Sequence, residues 1–249
     1  MIDLHAHILP VLDDGAQDLN DALEMAALAV ESGVTVLTAT PHCAAFGPQA
    51  VCRAETVRQA VRSLRAALAQ AKIPLQLAHG MEIYGTPEVT DLLKNGQLLC
   101  LNSSRCPLVE FAFTDCAAQA TETLQALRSA GLRPLVAHPE RYLYTQDDPT
   151  LLNLWVEMGC LLQVNKGSLL GRFGKGAEAL AWALVDRGFA FAVASDAHTP
   201  VMRTPWMRDA ALLLEEEFSP AAARLLLEEN PRRLLNNEPI RPVEPVWFR

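Results

Sequence analysis

Short runs of apolar, often β-branched residues alternate along the chain with longer segments whose apolar positions recur at helical spacing. The short runs predict seven strands, at residues 2–7, 34–39, 75–79, 108–113, 135–138, 160–165 and 189–195. The longer segments predict helices at 18–32, 50–72, 116–130, 149–158, 174–187, 206–215 and 219–229. Strands that alternate with helices indicate parallel βαβ units, so we expect an α/β fold.

The number of strands favours a closed or nearly closed barrel over an open sheet. No repeat, low-complexity tract or linker divides the chain, so residues 1–235 predict a single domain. Residues 236–249 contain Pro239, Pro242 and Pro245, which predict an extended tail on the surface. The first predicted helix has Asp18 or Asn20 as its candidate cap.

Composition excludes several classes of protein. Half of the residues are hydrophobic, which is enough for a large core, and the net charge of −8 argues against a broad nucleic-acid surface. No apolar stretch approaches the roughly 20 residues of a membrane helix, and the first residues do not resemble a signal peptide. Six cysteines form no C-x-x-C pair and are expected to be reduced thiols. We expect a soluble, cytoplasmic protein without membrane insertion.

Histidines and carboxylates stand where the predicted strands end. His5 and His7 are two residues apart in a strand, so their side chains point the same way. Asp196 and His198 repeat that spacing after the last strand. The remaining candidates are Asp14, His42, Glu82, Glu110 and His138. Because the carboxyl ends of barrel strands share one face, we expect all nine side chains to converge there.

Taken singly, these residues also have ordinary interpretations, such as polar strand ends for His5 and His7 or a simple turn for residues 13–15. The combination favours a metal site, since four carboxylates brought together would repel one another unless cations neutralised them. One ion with about four to six ligands cannot use nine, so two or three divalent ions are expected, with Glu82 as a bridge. Mixed imidazole and carboxylate ligands suit Mn²⁺, Zn²⁺ or Fe²⁺.

The charge of such a pocket indicates an anionic substrate. Three divalent ions carry six positive charges and four carboxylates four negative ones, which leaves about +2. Arg141 and Arg203 follow His138 and His198 in sequence, and arginine holds phosphate oxygens through paired hydrogen bonds. A phosphoester hydrolase is therefore expected. The candidate catalytic residues are Arg141, Arg203, Asp196 and His42.

Two further polar residues follow strands. His79 is expected to have a structural role or to contact the metal ligands without binding the metal itself. Lys166 has two interpretations, contact with substrate or a solvated position in a loop, and the second is favoured.

An ordered set of motifs runs from residue 2 to about 205. The motifs are Ile2-Asp3-Leu4-His5-Ala6-His7-Ile8-Leu9-Pro10, Asp13-Asp14-Gly15, Ala39-Thr40-Pro41-His42, Glu82-Ile83-Tyr84, His138-Pro139-Glu140-Arg141-Tyr142, Gln163-Val164-Asn165 with Gly167-Ser168-Leu169, and Ser195-Asp196-Ala197-His198. This set resembles the PHP (polymerase and histidinol phosphatase) superfamily. It is most similar to the bacterial metal-dependent protein-tyrosine phosphatases of capsular and exopolysaccharide synthesis.

The resemblance implies a distorted seven-stranded β/α barrel of the PHP type with a trinuclear site, for which we favour Mn²⁺. The implied ligand sets are His5, His7, Glu82 and Asp196 for one ion, Glu82, Glu110 and His138 for a second, and Asp14, His42 and His198 for a third. Arg141 and Arg203 would hold the phosphate. Two positions depart from the family pattern, namely Cys43, where histidine is frequent, and Lys166, where a small residue is common.

The expected reaction is direct hydrolysis, in which a metal-bridging hydroxide attacks phosphorus in line. The resemblance implies that the substrate is phosphotyrosine on a protein, with a bacterial tyrosine kinase as the expected partner. Alternatives are a small-molecule phosphatase acting on a compound such as histidinol phosphate, and a metal-stabilised regulator that binds a tyrosine kinase without catalysis. An amidohydrolase is a further alternative, although no lysine occupies the matching strand end, where such enzymes often use a modified lysine to bridge their metals.

Overall fold

A computed structural model of the chain describes residues 1–43, 53–114, 117–240 and 244–249, in which parallel strands alternate with helices. The predicted α/β class is confirmed. The strands are β1 (Ile2–Ala6), β2 (Val36–Ala39), β3 (His42–Cys43), β4 (Gln76–His79), β5 (Glu82–Tyr84), β6 (Leu108–Glu110), β7 (Leu135–Ala137), β8 (Leu161–Asn165) and β9 (Ala190–Ala194).

Most helices lie on the segments between these strands. They are α1 (Leu19–Glu31), α2 (Ala54–Ala71), α3 (Val89–Lys94), α4 (Ala117–Ser129), α5 (Leu143–Asp147), α6 (Thr150–Glu157), α7 (Lys166–Leu169), α8 (Lys175–Asp186), α9 (Arg208–Glu217), α10 (Pro220–Arg224) and α11 (Asn230–Leu235). Short 3₁₀ turns occur at Leu101–Ser103 and Pro139–Arg141, and a π-helical turn at Leu225–Glu229 joins α10 to α11. The single helix predicted over 219–229 is therefore part of a longer, irregular one.

The strands form two parallel sheets, ordered β1-β2-β4 and β3-β5-β6-β7-β8-β9. The chain passes twice from the first sheet into the second, because β2 is followed by β3 after residues 40–41 and β4 by β5 after residues 80–81. Pro41 has no backbone N–H for a ladder, which accounts for the first interruption. The sequence prediction ended these two strands at residues 39 and 79, as observed, but it missed β3 and β5, and it extended β6 to residue 113 although the strand ends at Glu110.

The first and last strands are neighbours. A parallel bridge joins Ala6 to Ala197, the backbone N–H of Asp196 donates to the carbonyl of His5 at 2.9 Å, and that of His7 donates to Ala197 at 2.8 Å. The buried carboxylate of Asp3 accepts the backbone N–H of Ser195 at 3.0 Å. These bonds place the two i, i+2 pairs of the sequence side by side.

The local signals at α1 are confirmed. Asp18 is the cap, and its side chain accepts the backbone N–H groups of Asn20 and Asp21. The helix ends at Glu31, just before Gly33, whose φ is +97°. The predicted starts of the helices at residues 50 and 116 lie outside the described residues.

Large buried side chains fix the strand ends that carry the site. The hydroxyl of Tyr142 donates to the carbonyl of Ala137 at 2.7 Å and accepts the N–H of Phe111 at 3.1 Å. This fully buried ring therefore ties the loop after β6 to the end of β7. Trp155 of α6 packs against Phe111 with ring centroids 6.4 Å apart, and its indole N–H donates to Thr121 on α4 at 2.9 Å. Burial of each ring contributes about 2–3 kcal/mol to stability.

The end of the chain lies along the surface. Residues 244–249 form neither helix nor strand. The N–H of Val246 donates to the carbonyl of Arg187, and Phe248 packs on Phe189 with ring centroids 4.9 Å apart. Pro242 lies outside the described residues. Within the described ranges, no helix is long and apolar enough to cross a membrane.

Candidate metal centre

The predicted ligands come together at the carboxyl ends of the strands. Eight of the nine fall into three overlapping groups whose possible ligand atoms lie within 4.8 Å of one another. These groups are His5, His7, Glu82 and Asp196; His42, Glu82 and Glu110; and His7, Asp14, His42 and His198. The ninth residue, His138, approaches Glu82 Oε1 through Nε2 at 2.9 Å. Glu82 therefore stands at the centre, as expected of a bridging carboxylate.

The first group is closed on all sides by protein. Nε2 of His5 lies 3.2 Å from Nε2 of His7, and both atoms are about equally near Glu82 Oε2, at 3.0 and 3.1 Å. Asp196 Oδ1 lies 3.5 Å from each nitrogen. All four side chains are almost fully buried. Two ring nitrogens and two carboxylate oxygens thus face one small space.

The outer nitrogens of the same rings are held by hydrogen bonds. Nδ1 of His5 lies 2.8 Å from Gln163 Oε1, an atom that can only accept. Nδ1 of His7 lies 2.6 Å from Asp13 Oδ2. In the neutral form of each ring the proton is therefore on Nδ1, and Nε2 then presents a lone pair inward as a metal ligand requires. Asp13 and Gln163 belong to motifs named in the sequence, but no role was predicted for either.

The other two groups are more open. Nδ1 of His42 lies 3.2 Å from Glu82 Oε2 and 3.1 Å from Glu110 Oε1. Asp14 Oδ1 lies 3.6 Å from His42 Nε2 and 3.5 Å from His198 Nε2. Asp14 and His42 are the exposed members, with 66% and 37% of their side chains accessible. The pocket therefore opens to solvent on the side of these two residues.

Unusual backbone conformations position several of these side chains. His138, Asp196 and Arg203 have φ values of 35°, 51° and 49°, in the left-handed region that non-glycine residues rarely adopt. Such conformations persist where surrounding structure enforces them and are concentrated at functional sites.

Glycine is required in the loop after β1. A Cβ atom on Gly15 would lie 2.0 Å from the carbonyl oxygen of His7 and 2.5 Å from its Cβ. The absence of a side chain lets the loop fold back on His7, where the N–H of Ala16 donates to the same carbonyl at 3.0 Å. The Asp13-Asp14-Gly15 turn thereby brings Asp13 and Asp14 to the pocket.

Two arginines meet the outer oxygen of Asp196. Nη1 of Arg141 lies 3.1 Å from Asp196 Oδ2, and Nη2 of Arg203 donates to the same oxygen. The side-chain amide of Asn165 donates to it as well, at 2.6 Å. Asp196 thus faces the histidines with one oxygen and the arginines with the other. The positions of Gln163 and Asn165, two polar residues spaced i, i+2 in a buried strand, are a sequence signal that could have identified them.

The charges of the site reinforce one another. Burial opposes ionisation of Asp196 and Glu82, but His5, His7 and His138, led by the charge of His5, together outweigh burial and hold the pKa of both carboxyls well below the usual range. Burial also opposes protonation of His42, but its contacts with Glu110 and Glu82 raise its pKa to about 9. Burial and the charge of His7 lower the pKa of His198 to about 4. Asp196 and Glu82 are therefore ionised and strongly attract positive charge.

Several buried polar atoms at the centre lack hydrogen bonds. Among the described residues these include Glu82 Oε2, Asp196 Oδ1 and His198 Nε2. An unpaired buried polar atom is destabilising, and here the three atoms face the groups described above. Divalent cations bound between them would satisfy all three, so the donor set fits metal ions that prefer nitrogen and oxygen ligands.

Three other residues considered in the sequence, Lys166, His79 and Cys43, lie outside the three groups of possible ligands. The predicted solvated position of Lys166 was wrong, because its side chain is only 1% accessible and its amine donates to the carbonyl of Trp206. His79 lies outside the three groups, and its Nε2 is 3.1 Å from Ser103 Oγ. Cys43 is buried in β3, directly after His42.

Known proteins share this combination of fold and sequence. The protein family described as "Capsular polysaccharide synthesis, CpsB/CapC" matches residues 1–236. The tyrosine-protein phosphatase YwqE of Bacillus subtilis is 39% identical over 253 residues, which cover 100% of this chain and 98% of YwqE. CpsB of Streptococcus pneumoniae, also a tyrosine-protein phosphatase, is 28% identical over 245 residues, which cover 96% of this chain and 99% of CpsB.

A solved structure is similar over its whole length. It comes from crystallographic work on YwqE of Bacillus subtilis and CpsB of Streptococcus pneumoniae, which are described as unique metal-dependent tyrosine phosphatases. The TM-score is 0.92 at 38% identity, and the match covers 100% of both chains.

Proposed function

Because the chain belongs to the CpsB/CapC family of capsular polysaccharide synthesis proteins, we propose that its metal centre hydrolyses the phosphate ester of phosphotyrosine in proteins. The protein is a metal-dependent tyrosine-protein phosphatase, as its relatives are. The observation that carries the proposal is the convergence of nine histidine and carboxylate side chains beside two arginines. Imidazoles and carboxylates hold cations, and arginine binds phosphate.

Two or three divalent ions, with Mn²⁺ favoured and Zn²⁺ or Fe²⁺ as alternatives, are proposed to occupy this centre. The first set of ligands is His5, His7, Glu82 and Asp196, the second Glu82, Glu110 and His138, and the third Asp14, His42 and His198. When bound, the ions supply positive charge that acidifies water and neutralises the phosphate. The rest of the catalysis is assigned to the residues of the chain.

Arg141 and Arg203 are proposed to hold the phosphate during the reaction. Both guanidinium groups reach the same oxygen of Asp196, so they lie next to each other at the metal centre. In addition, Nε of Arg203 is buried without a hydrogen-bond partner among the described residues. A phosphate between the two arginines would use these donors and have its developing charge stabilised.

Asp196 and His42 complete the proposed catalytic set. Asp196 is buried and ionised, so it orients both arginines and does not act as an acid. His42 lies at the open edge of the pocket, where one ring nitrogen can bind a cation while the other keeps a proton. A tyrosyl oxygen is a fairly good leaving group, so this proton serves as a hydrogen-bond donor and a strong acid is not required.

Cysteine chemistry plays no part in this proposal. Burial raises the pKa of Cys100 and Cys160 to about 12 and that of Cys106 to about 11, which keeps these free thiols protonated. A protonated thiol is a poor nucleophile. Free thiols also agree with the proposed site of action in the reducing cytoplasm.

The barrel expected from the sequence is proposed to arise from the two sheets together. The bridge between Ala6 and Ala197 links β1 to β9, and the interrupted strands link the sheets on the opposite side. With β2–β3 and β4–β5 each counted as one broken strand, this arrangement supports a distorted seven-stranded β/α barrel of the PHP type. Residues 1–235 would form this domain and residues 236–249 its tail.

A protein substrate is favoured by the loops around the pocket. Val11 is 77% exposed in the loop after His7, and Val201 and Met202 are 82% and 74% exposed in the loop before Arg203. Exposed apolar side chains at the mouth of a site suit contact with another protein more than with a small phosphate ester. A bacterial tyrosine kinase with phosphorylated tyrosines is the proposed partner.

The proposal is tested with protein purified without chelator, whose metal content is measured first. We expect Mn²⁺-loaded protein to hydrolyse p-nitrophenyl phosphate and a phosphotyrosyl peptide, and to act far less on a phosphoseryl peptide or histidinol phosphate. A higher kcat/KM on histidinol phosphate would instead identify a small-molecule phosphatase. No turnover of any ester with all metals bound would refute the phosphatase proposal.

A pair of histidine variants separates catalysis from a purely regulatory role. His5→Ala removes a buried ligand and should abolish turnover, whereas His79→Ala removes a histidine outside the metal-ligating groups and should retain it. Metal content and circular dichroism are measured for both. If His5→Ala loses metal without losing activity, the assigned centre is wrong.

A further inference from the structure

A cleft of about 450 Å³ lies beside the metal centre and is not used by the mechanism proposed above. The side chains that line it include Phe113, Leu143, Phe173, Gln146 and Arg141. Three of these five are apolar, and Arg141 contributes a positive charge. An apolar cleft with one cation suits the organic part of an anionic ligand whose charge is bound next to it.

Arg141 belongs to both the cleft and the metal centre. Its Cζ atom lies 4.8 Å from the ring centroid of Phe113 and 4.2 Å from that of Phe173. Its Nη1 atom lies 3.1 Å from Asp196 Oδ2. The guanidinium therefore contacts two aromatic rings while one edge faces the proposed phosphate position. A phosphate bound by Arg141 would place its ester group at the entrance of the cleft.

The two phenylalanines are held in place yet remain accessible. Phe113 follows β6 by three residues, lies 6.0 Å from the ring centroid of His138 and is 41% exposed. Phe173 packs over Gly167, where a Cβ atom would lie 2.5 Å from Cε2 of the ring. Glycine at this position makes room for Phe173 beside Arg141. Exposed aromatic surface next to a charged site is available for a ligand.

We infer that Phe113 and Phe173 form a subsite for the aromatic ring of the phosphotyrosyl group and make the enzyme prefer aryl over alkyl phosphates. The inference rests on the proposed function and names the part of the chain that recognises its substrate. In an aryl phosphate the ester oxygen joins phosphorus directly to the ring. With the phosphate at Arg141, the ring can therefore stack on an exposed phenylalanine, whereas an alkyl group gains less from such contact.

The test compares two competitive inhibitors that differ by one ring, phenylphosphonate and inorganic phosphate. Their inhibition constants are measured with Mn²⁺-loaded protein hydrolysing a phosphotyrosyl peptide. For Phe113→Leu and for Phe173→Leu we expect the constant for phenylphosphonate to rise about tenfold and that for phosphate to stay within about twofold. Phe113→Tyr retains a ring and should bind phenylphosphonate like the wild type.

Phe218→Leu is the matched control, because Phe218 stacks on Trp182 at 6.1 Å and does not line the cleft. It should change neither inhibition constant. Thermal unfolding of each variant shows whether it remains folded.

Two results would overturn the inference. Equal increases for both inhibitors would mean that the phenylalanines only position Arg141, and unchanged constants would mean that the ring binds elsewhere. Calorimetric titration of both compounds measures the same difference without turnover. Failure of the wild type to hydrolyse the peptide would thus count against the proposed function alone, while the difference between the two ligands would still decide the role of the cleft.

Discussion

Oδ2 of Asp13 lies 2.6 Å from Nδ1 of His7 and also accepts the backbone N–H of His42 at 2.9 Å. One carboxylate thus orients a proposed ligand after β1 and anchors another at β3. Asp13 is itself buried next to the centre, and its contacts with His7 oppose the effect of burial and lower its pKa. It remains ionised and keeps the proton of His7 on the outer nitrogen.

Asp13→Asn should weaken Mn²⁺ binding by about 10- to 100-fold. A neutral amide holds the imidazole of His7 less firmly than a carboxylate does, and it makes this imidazole a weaker ligand for the metal. The affinity is measured by calorimetric titration of metal-free protein. Asp91→Asn changes an exposed carboxylate far from the groups of ligands and is the control. Equal affinities for Asp13→Asn and the wild type would show that Asp13 does not support the centre.

Metal binding should release protons. In the metal-free protein, contacts with carboxylates raise the pKa of His42 to about 9 and also raise that of His7. Each of the two rings therefore carries an extra proton at pH 7. A cation can bind to either ring only after that proton has left. We expect about two protons released per chain at pH 7 and fewer as the pH rises through 9.

The number of protons is obtained from calorimetric titrations in buffers with different ionisation enthalpies. Mn²⁺ affinity should rise between pH 6 and 9 for the same reason. An enthalpy that is independent of the buffer at pH 7 would contradict the assignment of these histidines as ligands.

Much of this arrangement was predictable because it depends on short-range patterns. The i, i+2 spacing of His5 and His7 follows from strand geometry, and the capping of α1 by Asp18 follows from local hydrogen bonding. The convergence of ligands from distant strands follows from the shared face of parallel strand ends. The structure brings these predicted residues together, while their roles as ligands remain proposals.

Features that depend on distant partners were not predictable in this way. The hydrogen bond from His5 to Gln163 joins residues 158 positions apart, and no local pattern selects that pair. Lys166 follows a strand like a solvated loop residue, but it is buried because Trp206 and Asp209 pack over it. The strand prediction ended at residue 39, before Pro41, and missed β3, which pairs with β5 in the other sheet.

Arg141→Lys should lower kcat/KM for the phosphotyrosyl peptide by about 10- to 100-fold while the metal content stays unchanged. Lysine keeps the positive charge but loses the planar pair of N–H groups that contact Asp196 and the phosphate. Arg203→Lys should behave in the same way. Arg172→Lys is the control, since Arg172 is exposed and its guanidinium lies 4.0 Å from Asp209. Loss of metal in Arg141→Lys would mean that the arginine supports the ligands and does not bind substrate.

Glu140 differs from the other carboxylates of the site because burial raises its pKa despite hydrogen bonds that favour ionisation. Its Oε1 accepts the backbone N–H of Asn165 at 2.9 Å and the hydroxyl of Ser168 at 2.7 Å, which holds Asn165 beside Asp196. A raised pKa means that the folded protein binds the proton more tightly than the unfolded chain. The stability from Glu140 is therefore complete below its unfolded pKa and is lost as pH rises through the folded pKa.

Glu140→Gln keeps an oxygen acceptor and cannot ionise, so it avoids this loss of stability. Its free energy of unfolding at pH 8 should be at least as large as that of the wild type. Glu140→Ala leaves the N–H of Asn165 and the Ser168 hydroxyl unpaired in a buried cavity and should lose about 2–4 kcal/mol. Urea unfolding of metal-loaded protein at pH 8 measures both changes. Because Asn165 then loses its support, Glu140→Ala should also reduce kcat, and Glu140→Gln should restore it. A stability loss in Glu140→Gln as large as that in Glu140→Ala would show that the negative charge itself is required at this position.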